Sequence, residues 1–190
     1  MSSSATSMDE GQGRQRVLYV VVCAAPPASE VHELVKLAQA AGWEVCVIAT
    51  PEAMHWIDPA MLATVTGYDV RSEYRATDAA KSLPDADAIA VAPATFNTVN
   101  KFRAGIADNM AVGVLCECLR AGVPIILAPN VKAVLAEHPA FPASLRELAS
   151  WGVHVLEQAP QPRGVRMAPW ETILEAVERH VRKRTILDEG

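Results

Sequence analysis

Ala88-Ile89-Ala90-Val91-Ala92-Pro93-Ala94-Thr95-Phe96-Asn97-Thr98 is the stretch on which the reading of the chain turns. Its first five residues are apolar without interruption and include β-branched side chains, which is the pattern of a strand covered on both faces. Proline closes the run. Thr95, Asn97 and Thr98 follow, and these are residue types that open helices, because a short polar side chain can accept a hydrogen bond from a first-turn N–H. A buried strand that hands over to a polar helix start is one step of a β-α-β unit.

The same step recurs on either side. Apolar, β-branched runs occupy residues 17–23, 44–49, 124–128 and 153–156, with a weaker one at 69–74. Between them, residues 29–41 carry a helical period with Ser29 as the expected N-cap and Gly42 as the stop, and residues 108–121 do the same with Gly122 as the stop. Two more helices are expected at 142–151 and 170–184. Alternation of this kind predicts an α/β fold, a Rossmann-like doubly wound parallel sheet of about six strands with helices on both faces. A chain of 190 residues can fill one such domain and is too short for two of ordinary size. The domain is expected over residues 17–185. Residues 1–16 are rich in Ser, Gly and Gln and lack the basic-then-apolar order of a secretory signal, so they read as a disordered leader, with 186–190 as a tail.

Composition removes several classes of function. A net charge of -5 offers no electrostatic footprint for nucleic acid or an anionic membrane. The apolar runs fall far short of the roughly 20 residues that cross a bilayer. The expected location is therefore the cytoplasm. Cys23, Cys46, Cys116 and Cys118 lie in apolar surroundings without C-x-x-C or His/Cys metal spacing, which reads as buried free thiols. A small neutral or phosphorylated ligand suits this composition.

In a parallel sheet with right-handed crossovers, ligands settle in the crevice at the carboxyl ends of the strands. The segments placed there are 24–27, 50–52, 93–98, 129–132 and 157–168. Thr95, Asn97 and Thr98 supply two hydroxyls and a carboxamide suited to a phosphate or the polar edge of a heterocycle. Their chemistry is equally consistent with capping a helix and nothing more.

Pro93-Ala94-Thr95-Phe96-Asn97-Thr98, with Lys101 and Gly105-Ile106-Ala107-Asp108-Asn109, resembles the "PASANT" signature of the homo-oligomeric flavin-containing Cys decarboxylases. That family includes phosphopantothenoylcysteine decarboxylase, decarboxylases of lantibiotic-type peptides and, more distantly, flavin prenyltransferases. The likeness runs from about Val17 to about Val177. Thr50 with His55-Trp56-Ile57-Asp58, His138-Pro139 and Gly164-Val165-Arg166-Met167-Ala168-Pro169 fall in register with other family segments. The resemblance implies FMN, bound without covalent attachment in a trimer or dodecamer. It places the phosphate near Ala24, Ala25, Pro26, Thr50, Pro51 and Glu52, and the isoalloxazine ring near Thr95, Phe96, Asn97, Thr98 and Asn130. It also implies subunit contacts at residues 100–121.

The chain departs from the pattern in ways that bear on chemistry. Ala24-Ala25-Pro26-Pro27 replaces a Gly-Ser/Thr loop, and two prolines remove amide donors. Glu52 puts a carboxylate where the family commonly has a hydroxyl. The family's catalytic histidine position falls on Ala79, beside Asp78. Val131-Lys132 stands where Met-Asn is usual, and the 157–168 flap has no cysteine. Phosphopantothenoylcysteine is therefore a poor candidate substrate. The candidate catalytic side chains are Lys132, His55 and Asp78, each with a structural alternative: a solvated lysine, a packed histidine and a helix N-cap. Three functions follow: an FMN-dependent oxidoreductase or oxidative decarboxylase acting on a small molecule or a peptide C-terminus, a non-catalytic flavin-binding or regulatory protein, and a flavin prenyltransferase-like enzyme.

Overall fold

The structure is a computed structural model that describes residues 14–74, 83–156 and 163–188. Strands β1 (Val17–Val22), β2 (Glu44–Ala49), β3 (Ala88–Ala94), β4 (Ile125–Pro129) and β6 (His154–Val155) form one parallel sheet in the order β2-β1-β3-β4-β6. Two further strands, β5 (Val131–Lys132) and β7 (Gly164–Val165), pair antiparallel as a separate ribbon. The helices are α1 (Val31–Ala40), α2 (Pro59–Thr66), α3 (Phe96–Ala104), α4 (Met110–Arg120), α5 (Ala133–Ala136), α6 (Ala140–Ser150) and α7 (Trp170–Asp188). Short 3-10 turns span Pro26–Glu30 and Pro51–His55.

Strand periodicity divides the core into two layers. In β1, Leu18, Val20 and Val22 pack with Leu34 and Val35 of α1 and Ile173 and Val177 of α7. Tyr19, Val21 and Cys23 point the other way, toward Val99 and Phe102 of α3, Leu115 of α4 and Leu148 of α6. All six residues of β1 are buried, as a central strand covered on both faces must be. The chain leaves β1 for β2 on one side and returns past β1 to β3 on the other. That reversal puts the topological switch point between β1 and β3, where their carboxyl ends leave a crevice.

Several expected boundaries move for local reasons. The 69–74 run contributes a single parallel bridge between Arg71 and Ile48, so the sheet has five strands and not about six. Val70 of that segment packs on the core and Tyr74 sets its ring against Gly113 of α4, while alternation with Asp69, Arg71 and Glu73 leaves no continuous apolar row to bury. Ser29 does not cap α1; its hydroxyl donates to Pro26 O at 3.1 Å within the 3-10 turn, and α1 begins at Val31. The 108–121 helix begins at Met110, because Asn109 Oδ1 accepts from Val112 N at 3.1 Å and is the cap. Asp108 pairs with Lys101 Nζ at 2.6 Å, and that hydrogen bond holds its carboxyl below the usual range. Gly42 and Gly122 end their helices at positive φ, as expected.

Residues 14–16, placed in the leader on composition, are joined to the fold. Arg14 pairs with Asp87, and Arg16 forks onto Glu178 of α7 at 3.1 and 3.2 Å while its guanidinium lies 4.3 Å over the Trp43 ring. Trp43 Nε1 donates to the same carboxylate, so Glu178 ties the N-terminal edge of β1 to α7. At the other end α7 continues to Asp188, past the expected boundary.

Candidate functional site

Three backbone hydrogen bonds gather the loops at the carboxyl edge. Thr50 N donates to Val22 O at 2.9 Å, Cys23 N to Pro93 O at 3.2 Å, and Asn130 N to Ala94 O at 2.9 Å. The ends of β2, β1, β3 and β4 are thereby held side by side, and Thr50, Ala24-Ala25, Thr95–Thr98 and Asn130 surround one crevice.

The β1 corner is built from Ala24, Ala25, Pro26 and Pro27. Pro26 and Pro27 open a 3-10 turn in which Ala28 N donates to Ala25 O at 2.8 Å. The two amides missing at the prolines are those that a helix start would leave unpaired in any case. Among the described residues the N–H groups of Ala24 and Ala25 have no backbone partner, and Ala25 is buried.

At the β2 corner Thr50 occupies the cap position of the turn Pro51–His55, yet its side chain caps no N–H. It is only 8% exposed, its side chain makes no capping hydrogen bond, and its oxygen is not sealed from solvent, so a ligand atom can meet it. Pro51 and Glu52 are exposed, which leaves the Glu52 carboxylate in water. His55, a candidate catalytic side chain with a packed histidine as its alternative, is exposed at the end of the turn and so is not packed. The apolar neighbours Met54 and Ile57 pack on the core in its place.

The β3 corner carries α3. Thr95 is its cap, accepting from Thr98 N at 3.5 Å, and its hydroxyl donates to Thr98 Oγ1 at 3.3 Å. Thr98 is buried, so helix capping accounts for both threonines. It does not account for Asn97, whose exposed carboxamide has no partner among the described residues. The Phe96 ring is held from the α5–α6 side, 5.6 Å edge-on to His138 and 6.1 Å from Phe141. His138 also accepts from Ala140 N at 3.2 Å, as the capping reading of that residue requires. Asn100, which sequence reasoning left aside, braces the corner: it donates to Phe96 O at 2.8 Å and accepts from Ser144 Oγ of α6 at 2.8 Å.

The β4 corner adds the ribbon. Asn130 Oδ1 accepts from Met167 N at 3.3 Å, which leaves the amide hydrogens and one lone pair of Oδ1 for a ligand. Lys132 stands opposite Gly164 and Val131 opposite Val165. Val131 and Val165 face the core. Lys132 and Arg166, two residues beyond Gly164, therefore share the outer face at diagonal positions, and both are exposed. Gly164 is obligatory: φ is +118°, and a Cβ there would stand 2.1 Å from Val131 O. Asp78 and residues 157–162 of the flap lie outside the described residues.

Among the described residues no group of three or more His, Cys, Asp or Glu side chains can hold a metal ion, and no helix is long and apolar enough to cross a membrane. The four cysteines are free; Cys23 and Cys46 are buried, while Cys116 and Cys118 are half-buried.

Comparison with known proteins agrees with this geometry. The chain is 27% identical over 183 residues to the coenzyme A biosynthesis bifunctional protein CoaBC of Thermococcus kodakarensis, covering 92% of this chain and 45% of that protein. It thus spans less than half the length of that relative. The FMN-dependent cysteine decarboxylase SpaF superposes with a TM-score of 0.72 at 23% identity, covering 89% of this chain and 98% of SpaF. A PPC decarboxylase mutant complexed with pantothenoylaminoethenethiol gives a TM-score of 0.75 at 17% identity, covering 88% and 98%. At these identities the structural likenesses establish the fold. A family model described as Flavoprotein matches residues 6–182, nearly the whole chain, and the protein accordingly belongs to the Flavoprotein family, with a decarboxylase-like fold.

Proposed function

We propose that the crevice holds FMN without covalent attachment and that the protein is an FMN-dependent oxidoreductase or oxidative decarboxylase acting on a small molecule or a peptide C-terminus. The observation that carries the reading is the set of donors left unengaged around one switch point: the Thr50 hydroxyl, the Ala24 and Ala25 N–H groups and the Asn97 carboxamide. Thr50 and the two amides suit a phosphate. Asn97, which both donates and accepts, suits a ring edge carrying alternating donors and acceptors. Glu52 faces water and so does not oppose the anion at contact distance. When bound, FMN supplies a two-electron acceptor, and the protein's part is to orient the donor against it.

The substrate side is the Lys132–Arg166 face of the ribbon. Two exposed cations in diagonal register favour a carboxylate, and Asn130 secures the Arg166-Met167 segment beside the crevice. Lysine has no acceptor, so Lys132 cannot both donate and accept as an amide at that position does, which argues against phosphopantothenoylcysteine. The relatives named above include enzymes of cysteine-derived substrates, and a cysteine-ended peptide or thiol acid is the class to try first. Assembly as a trimer or dodecamer with α4 and the 100–109 turn at the contact, and a cytoplasmic location, belong to the same proposal.

Titration of the purified protein with FMN tests the cofactor: quenched flavin fluorescence and a structured visible band are expected, and a sample that stays colourless overturns the reading. Anaerobic mixing of the loaded protein with a cysteine-ended peptide tests the reaction, since bleaching of the visible band is expected. Lys132→Met should weaken that peptide about 5-fold, as loss of a solvent-exposed ion pair does, and leave FMN affinity unchanged. FMN binding without bleaching by any thiol acid would select the second reading, a flavin-binding protein without catalysis. That reading has its own support: Ala79 at the family's histidine position and Lys132 at its asparagine.

A further inference from the structure

Helices α3 and α6 lie side by side and meet at three levels. Phe96 stacks 6.1 Å from Phe141, Ser144 Oγ donates to Asn100 Oδ1 at 2.8 Å, and Arg103 Nε donates to Glu147 Oε2 at 2.6 Å. Residue numbers rise together along both helices, so the two run parallel and begin at the same end. Because α3 starts directly on the carboxyl end of β3, the residues that lead into α6 stand at the crevice edge as well. His138 is one of these, and its ring meets the Phe96 ring edge-on at 5.6 Å. Its Nδ1 accepts from Ala140 N at 3.2 Å. A backbone N–H can only donate, so Nδ1 carries no proton and the neutral ring keeps its proton on Nε2. The side chain is exposed, and Nε2 has no partner among the described residues.

We propose that His138 is a binding residue of the crevice, held as the Nε2–H tautomer to donate to a carbonyl oxygen on the ring of the bound cofactor. The proposal rests on the FMN reading for the identity of that ring. Two contacts preset the donor: the Ala140 N–H fixes one ring nitrogen, and the Phe96 ring packs against the imidazole. Ala140 opens α6, and the Asn100–Ser144 bond, with Ser144 only 4% exposed, ties α6 to α3 one turn below Phe96. The imidazole thus keeps its place relative to the start of α3. Phe96 has Asn97 beside it in the chain and His138 beside it in space, so two polar side chains bracket one aromatic ring. Asn97 can donate and accept, whereas His138 in this tautomer can only donate to a ligand. Together they suit the pyrimidine-type edge of a flavin, where a ring N–H lies between two carbonyl oxygens. A ring that turned an N–H toward His138 would be rejected, because two donors would then face each other.

Nuclear magnetic resonance of protein carrying isotope-labelled histidine tests the assignment, with the His138 signals identified as those lost in His138→Asn. In mildly alkaline buffer, where an unperturbed imidazole is neutral, the Nε2–H tautomer is expected before any ligand is added, and an Nδ1–H tautomer overturns the proposal. Loading with FMN should move the Nε2–H proton downfield and slow its exchange with water. A signal that stays in place while FMN binds overturns the proposal and leaves the cofactor reading standing. In parallel, His138→Ala should weaken FMN by about 2- to 10-fold, as loss of one neutral hydrogen bond does. His138→Asn, whose carboxamide can take the Ala140 N–H and still donate, should keep most of the affinity. Equal affinity in wild type and His138→Ala overturns the proposal. Circular dichroism confirms that each variant is folded, and the wild-type Nε2–H shift decides the matter if His138→Ala is not. If the wild type takes up no FMN, the cofactor reading fails, and lumichrome, a related ring without the ribityl phosphate, then decides: a shifted Nε2–H keeps His138 as a donor to another ring ligand, and an unmoved one overturns it.

Discussion

Replacing Thr50 by valine separates ligand binding from folding. The side chain is 8% exposed and its hydroxyl makes no capping bond, so nothing internal is lost when the oxygen becomes a methyl group. Free-protein stability should stay level, because the side chain gives up no capping bond and its oxygen is not sealed in the core. Binding behaves differently. A hydrogen bond to a charged group contributes about 1.5–3 kcal/mol, and its loss weakens phosphate recognition by roughly 10- to 150-fold. The assay is a fluorescence titration of FMN against wild type and Thr50→Val, with riboflavin, which lacks the phosphate, as the second ligand. Thr50→Val should lower FMN affinity and leave riboflavin affinity unchanged. Equal loss for both ligands would refute placement of Thr50 at the phosphate. A fall in the melting temperature of the free variant would refute the premise that its hydroxyl is unengaged.

Other perturbations probe the frame around the site. Burial pushes the Glu178 carboxyl up, but the bonds from Arg16 and Trp43 outweigh burial and hold it below the usual range. Its stabilisation is thus present above the unfolded pKa and lost as pH falls through the lower folded one; Glu178→Gln should cost about 1–2 kcal/mol near neutral pH, and a thermal-melt gap to wild type should close in acid. Gly164→Ala forces a Cβ against Val131 O in a left-handed conformation, so the β5–β7 ribbon should shift. Peptide binding by calorimetry should then fall while far-ultraviolet circular dichroism and FMN uptake stay as in wild type. Burial, with Glu117 and Asp85 adding like charge, pushes the Cys118 thiol up to about 11. Alkylation of native protein at Cys118, followed by mass spectrometry, should therefore be slow at neutral pH and accelerate steadily through pH 9 and 10.

The sequence by itself determined the layers and the main corner. Uninterrupted apolar runs such as Val17–Val22 bury both faces and admit only a central parallel strand, and the Thr95–Asn97–Thr98 start follows its strand within a few residues, where local chemistry decides the outcome. Helix stops at Gly42 and Gly122 were legible for the same reason, since a positive φ is a local demand. Tertiary structure decided what depends on residues far apart. The β5–β7 ribbon joins two-residue strands across a long separation, and two residues carry no periodicity to read. That ribbon places Arg166 beside Lys132 and engages Asn130 with Met167, which no spacing in the chain announces. The 69–74 run shows the converse: its composition suits a strand, but a sheet edge offers one partner only, and with charged residues alternating through it the run keeps a single bridge. Local patterns are set by backbone sterics and burial within a few residues, whereas the crevice is set by which strand ends become neighbours. The order β2-β1-β3-β4-β6 made those neighbours Thr50, Ala24 and Ala25, Thr95 and Asn130.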